Sequence, residues 1–298
     1  IEQLSAKRDQ DSLAKLKTML NSDAFYGVRL EAAKALRSVH TDEALDALLA
    51  STQQPDARVR REVVDAIGAF YAEPALAFGR QVLEREKNPA IQATALRGLG
   101  AYARPEVRQT LLRFLDSDSY RNELADAAIA AMRLQDDPDY VGPLLQTLSR
   151  REASFSSRGF AQGLEALAYL ARNEEKKSSV RDFLAGHVTH KRRVIRVASL
   201  TALGRLGDPK ALPVVEKWAA AAKESPERKA AEGALAELRA SRKPVDDFKN
   251  LREEVLSLQK ANRDFLKVLE ELKKRVEGNP KAEMRNSKQF RTPKSEVP

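Results

Sequence analysis

Three histidines are the first candidates for chemistry in this chain, because imidazole both ligates metals and moves protons near neutral pH. His187 and His190 stand three residues apart, a spacing at which two rings could share a metal ion. The sequence places no third ligand beside them and contains no H-E-x-x-H pattern. His40 falls at the end of a helical stretch, where an imidazole can satisfy the carbonyl end of the helix dipole. Gly98-Leu99-Gly100 and Gly204-Arg205-Leu206-Gly207 read as helix ends rather than phosphate loops, and no serine nucleophile elbow or dinucleotide fingerprint is present. No catalytic, cofactor-binding or metal-binding constellation emerges, so this chain by itself is expected to be non-catalytic.

Basic residues offer a second kind of chemistry. Arginine recurs early in a repeated helical pattern, as Arg29, Arg60, Arg196 and Arg228. One reading is a ladder in which each guanidinium ties to a carboxylate of its own or the adjacent repeat, with Asp23 and Asp56 as the nearest partners for the first two. The other is a positive stripe for a phosphate or a peptide carboxylate, extended by Lys191, Arg192 and Arg193. The fixed interval favours the ladder.

The elements that carry these residues follow from one pattern. The nine residues VRLEAAKAL ending at Leu36 return as VRREVVDAI at Ile67, IQATALRGL at Leu99, LADAAIAAM at Met132, GFAQGLEAL at Leu167, IRVASLTAL at Leu203 and ERKAAEGAL at Leu235. The closing apolar residue thus recurs roughly every 31 to 36 positions, the signature of a helical solenoid. Val28, Ala32, Ala33 and Leu36 share one stripe of the second helix and face the core, whereas Glu31 and Lys34 point outward. The breaks combine capping residues with prolines at first-turn positions, as in Asn88-Pro89, Asp137-Pro138, Asp208-Pro209 and Ser225-Pro226. Asn21-Ser22-Asp23 supplies the same chemistry before a second helix predicted to run from Ala24 to Val39. Two repeats carry longer loops, Ser149 to Phe160 and Gly186 to Val194; insertions of this kind collect on one edge of a stack and often serve binding, the other reading being simple variation in loop length.

Beyond residue 244 the period changes to seven. Phe248, Val255, Asn262, Leu269 and Val276 fill one seam position, and Leu251, Leu258, Phe265 and Leu272 follow three residues after the first four. Asn262 is the polar interruption that sets the register of two parallel strands, so this helix is a candidate for homodimerisation. Leu266 and Val268 widen its apolar face, which would also suit a helix folded back on the solenoid. The expected organisation is a solenoid over 1–240, a coiled-coil-like helix over 245–277 and a disordered basic tail over 278–298.

Composition agrees with an all-α fold. Hydrophobic residues make up 42% and aromatics only 6%, which suits small, close-packed helices. The absence of cysteine removes disulfides and thiolate metal sites without fixing a compartment. A net charge of +9 permits attraction to nucleic acid or anionic lipid, but both signs are interspersed, and no window is apolar enough to span a membrane.

With an Asp near the turn, an Arg early in the second helix and Asp-Pro starts such as LGRLGDPKALPVVEKW, the repeats resemble HEAT repeats, giving an expected HEAT-like alpha-alpha superhelix of about seven helix pairs. More narrowly, DAFYGVRLEAAKAL, DEALDALLAST and DARVRREVVDAIGAF are similar to the C-terminal HEAT-repeat region of bacterial zinc aminopeptidases of the gluzincin, aminopeptidase N type. That resemblance implies a substrate-gating domain of a larger enzyme, whose zinc would be held by a separate catalytic domain of the same polypeptide. No zinc ligand or catalytic residue carries over to this chain. The alternatives are a free-standing adaptor that holds a protein or peptide along its concave helices, and a HEAT-like nucleic-acid-binding protein. The mixed charges at Glu31, Lys34, Glu62, Asp65, Thr94, Arg97 and Glu165 disfavour the last of these. HEAT-type metal hydroxylases resemble sets of His-Glu pairs, and this chain has no His-Glu dipeptide.

Overall fold

The computed structural model describes residues 1–7, 9–221, 224–240 and 246–277, with side chains in the last segment described at Arg252 and 255–269. A short helix, α1 (Glu2–Lys7), precedes helix-turn-helix pairs. These are α2 (Gln10–Ser22) with α3 (Tyr26–Val39), α4 (Asp42–Leu49) with α5 (Ala57–Gly68), α6 (Glu73–Arg85) with α7 (Pro89–Leu99), and α8 (Pro105–Leu115) with α9 (Glu123–Gln135). Then come α10 (Val141–Arg151) with α11 (Ser157–Ala171), α12 (Ser178–His187) with α13 (Arg193–Leu206), and α14 (Leu212–Ala219) with α15 (Pro226–Ala240). A last helix, α16 (Asp246–Glu277), runs for 32 residues. No strand occurs among the described residues.

The caps explain why the chain breaks where it does. Side-chain oxygens of Asp9, Asp56, Asn88 and Ser156 accept from the otherwise unpaired N–H groups of Ser12, Arg58, Ala90 and Gly159, at 2.7, 2.8, 3.0 and 3.0 Å. Pro89, Pro105 and Pro226 take the first helical position, where a missing N–H removes no hydrogen bond. The helix expected from Ala24 begins instead at Tyr26. There the Asp23 carboxylate accepts from the Phe25 N–H at 2.9 Å, which holds two more residues outside the helix. At their far ends α3 and α13 close with His40 and Gly207 in the left-handed region, at φ 55° and 68°. The His40 ring also stacks on Phe70, 4.4 Å between centroids.

Packing then builds layers. Each second helix rests on the first helix of its own pair, and α3, α5, α7, α9, α11, α13 and α15 stack side by side in chain order. Alanine and glycine let these neighbours close up. A Cβ built on Gly98 would lie 3.1 Å from the Gly68 Cα, one on Gly100 2.9 Å from the Ala131 Cα, and one on Gly204 2.6 Å from the Ala234 Cα. The repeated closing residues Leu36, Ile67, Leu99, Met132, Leu167 and Leu203 are all buried. Each such aliphatic side chain contributes about 2 kcal/mol relative to exposure. The apolar interior consists of two clusters, one from Leu13 to Ala75 and one from Val64 to Leu238, with Phe78 packed against both.

Residues 1–242 and 243–298 form separate units. The disorder expected over 278–298 concerns residues outside those described. Phe248, Leu251, Leu272 and Val276 lie in the backbone of α16, and their side chains are outside those described.

Candidate functional site

The recurrent arginines do tie repeats together, but not through the expected aspartates. Arg60 Nε donates to Glu86 Oε2 at 3.0 Å and its Nη1 to the Gln54 and Pro55 carbonyls at 3.0 Å. Arg196 grips Glu227 Oε1 through Nε and Nη2 at 3.1 and 2.5 Å, while Nη1 donates to the His190 and Lys191 carbonyls. Arg29 Nη1 reaches Gln54 Oε1 at 3.5 Å, and its buried Nε has no partner. Arg228 pairs with Glu232 on its own helix at 2.8 Å, and its Nη1 donates to the Ala221 carbonyl before that helix at 3.2 Å. Asp56 is occupied as the cap of α5 and by Arg58, and Asp23 by the Phe25 N–H. The long arginine side chain therefore passes these short carboxylates and meets the loop of the next repeat.

Burial pushes the Glu227 carboxyl up, but the Arg196 hydrogen bonds and the local backbone outweigh it and hold it below the usual range. Further rungs that the repeat pattern alone did not single out join Arg108 to Asp139, Arg151 to Asp118, Arg172 to Asp136 and Arg181 to Asp208, at 2.7, 2.5, 2.5 and 2.9 Å. Most have an exposed partner, which limits each to roughly 1 kcal/mol or less.

The two long loops meet. A cavity of about 370 Å³ opens between them, lined on one side by Ser149, Arg150, Glu152, Ala153, Phe155 and Phe160 and on the other by His190, Lys191, Arg192 and Ile195. Glu152 stands between both imidazoles, with His187 Nε2 at 3.3 Å and His190 Nε2 at 3.0 Å. The tautomers follow from the remaining bonds. His190 Nδ1 accepts the Arg192 N–H at 3.0 Å, so its proton sits on Nε2 and is donated to Glu152. His187 Nδ1 donates to the Phe183 carbonyl at 2.7 Å, and its Nε2 faces the same carboxylate at 3.3 Å. A His190 that donates from Nε2 has no lone pair there for a metal. No group of three or more His, Asp or Glu suited to a metal ion forms among the described residues.

Charge around this cavity is unbalanced. Arg192 donates to the Ser157 hydroxyl at 2.8 Å, and among the described residues no ion pair engages it, Lys191 or Arg158, while Arg193 acts on the Glu227 carboxylate. Phe155, Phe160 and Ile195 form an apolar floor. Glu152 was missed in the sequence because it lies 35 residues before His187. That distance is one repeat, the signal that would have found it.

A further titratable group lies on α9. Asp126 packs against the start of α11, where a Cβ on Gly159 would collide with its carboxylate. Its Oδ1 is buried without a hydrogen bond. Burial pushes the carboxyl up to about 6, with Arg97 acting against that shift and Glu123 adding to it. On α16, the seam residues Val255, Leu258, Asn262, Phe265 and Leu269 are all exposed.

A family of HEAT repeats matches residues 13–78 and 161–236. No curated protein sequence matches this chain. Among solved structures, the Escherichia coli protein YibA is similar at a TM-score of 0.51 and 14% identity, covering 80% of this chain and 94% of its own. The complex of CpcE and CpcF of phycocyanin lyase from Nostoc sp. PCC7120 gives 0.48 and 19%, over 81% of this chain and 94% of that one. Human deoxyhypusine hydroxylase gives 0.39 and 18%, over 79% and 98%. The fold is a HEAT-like alpha-alpha superhelix followed by a long helix.

Proposed function

We propose that this chain is a non-catalytic scaffold that holds a protein partner along the layer of its second helices. The observation that carries this reading is the layer itself. Seven helices stack in order, their buried sides close the core, and their free sides present Glu31, Arg61, Arg97, Arg133 and Gln162 to solvent. A repeat stack of this kind makes one extended surface without a reacting centre. The test is photo-crosslinking from single positions. A crosslinker at Arg97 or Gln162 is expected to capture a protein that one at Lys17 or Gln146, on first helices, does not. Equal capture from both sets, or none from either, would sink the proposal.

Two finer readings have their own support. The run Phe25-Tyr26-Gly27-Val28-Arg29 supports a substrate-gating domain joined to a zinc aminopeptidase catalytic domain, where the zinc ligands would belong to that other domain. A native species far heavier than 33.1 kDa with zinc-dependent release of N-terminal residues is the expected sign. A species of this mass without activity would remove it. The exposed Val255, Leu258, Phe265 and Leu269 with Asn262 between them support a parallel homodimer. Two parallel copies would place one Asn262 opposite the other, each amide satisfying its twin. An antiparallel pair would set it against an apolar residue.

A further inference from the structure

We infer that the cavity between the two long loops docks an acidic peptide segment through one apolar anchor residue. This deepens the protein-binding reading and rests on it. The floor explains the anchor. Phe155, Phe160 and Ile195 are only 4%, 1% and 2% exposed, so they form a fixed apolar base rather than a loose patch. A volume of about 370 Å³ is on the scale of a side chain with its flanking backbone.

The rim explains the acidity. Arg150 stands on one loop and Lys191 and Arg192 on the other. Arginines such as Arg60, Arg172 and Arg196 are matched to carboxylates across repeats and hold the stack together. Among the described residues Lys191 and Arg192 form no ion pair with a carboxylate, and Arg150 has an exposed Asp116 at 3.4 Å. Glu152, the acidic residue in the lining, is hydrogen-bonded by the imidazoles and offsets only one of the three rim cations, which leaves the rim net positive. Charge left unpaired on both sides of an apolar floor is complementary to acidic residues flanking an apolar one.

A nucleic acid would satisfy the rim but not the floor. Stacking needs an open aromatic face, and the two phenylalanines are buried. A peptide side chain needs only the depression.

The test uses the full chain and a fluorescein-labelled acidic peptide with one central leucine, read by fluorescence anisotropy at low salt. Binding is expected to weaken at least about tenfold with Lys191→Glu/Arg192→Glu, and likewise with Arg150→Glu on the opposite loop. All three positions are at the surface, so these variants keep the fold, and Lys229→Glu on α15 serves as the unchanged control. Replacing the leucine by serine should cost a similar factor. No binding, binding indifferent to the charge reversals or to the leucine, or tighter binding of a single-stranded oligonucleotide of matched charge would each overturn the inference. Crosslinking on the second-helix layer with no peptide binding would remove the pocket alone. Failure of both would remove the protein-binding reading as well.

Discussion

Asp126 contributes stability in acid that is lost toward neutral pH, and Asp126→Asn should remove that contribution. The carboxyl is pushed from an ordinary 3.8 up to about 6 by burial against α11. A raised carboxyl means that the folded chain holds the proton more tightly than the unfolded chain does. Below about pH 4 both states are protonated and the site is neutral in the balance. As pH climbs from 4 through 6 the unfolded chain ionises first, and stability falls until the folded carboxyl has ionised too. Two units correspond to about 2.7 kcal/mol, and because the side chain is partly open to solvent about half of that is expected, roughly 1–1.5 kcal/mol. Asparagine matches the shape and carries no charge. Denaturant unfolding of both proteins at pH 3, 5 and 7.5 should therefore show near equality at the lowest pH and the variant ahead by that amount at the highest. In a chain of this size that is a rise of about 2–6 °C in the unfolding temperature. A variant less stable at pH 7.5, or a difference that does not change with pH, would refute the reasoning.

Other perturbations follow from the same geometry. Arg196→Ala leaves the Glu227 carboxylate, only 5% exposed, without its partner, and should destabilise the fold by about 1–3 kcal/mol in urea titrations, whereas Arg108→Ala, whose partner Asp139 is exposed, should cost under about 1 kcal/mol. Gly204→Ala places a methyl group 2.6 Å from the Ala234 Cα, so α13 and α15 must part, and calorimetry should show a loss of about 1–3 kcal/mol. Asn262→Ile should raise the melting temperature of the long helix and shift its assembly in analytical ultracentrifugation from dimer toward higher species. An unchanged monomer in both proteins would rule out the seam.

The helix pairs were legible because their signals are local. Asn88 with Pro89 and Ser156 before α11 act within three residues, and the stripe around Leu36 is read along one helix. The polar contacts were not legible in the same way, because they act across the repeat. Arg60 was matched to Asp56, four residues away, when its partner Glu86 is 26 away. Glu73 with Arg104 and Glu152 with His187 are 31 and 35 apart. In a solenoid the nearest neighbour in space is one period along the chain, so charge pairs are to be sought at the repeat interval. The cavity itself was half legible. Both long loops stood out by length, but that they share one pocket depends on equivalent loops falling on the same edge of adjacent repeats. Asp126 gave no signal, since nothing local distinguishes a carboxylate facing solvent from one caught under Gly159.

The division of the apolar interior has a consequence in time. Residues Leu13 to Ala75 share one cluster and Val64 to Leu238 another, with Phe78 common to both. Regions that share a cluster open together, and regions that do not can open on separate schedules. The first two helix pairs can therefore open separately from the later repeats. Synthesis sets the same order, because the early cluster is complete before most of the later one has been made. The two long loops lie with the second cluster, so a partner held there need not be released when the first cluster opens.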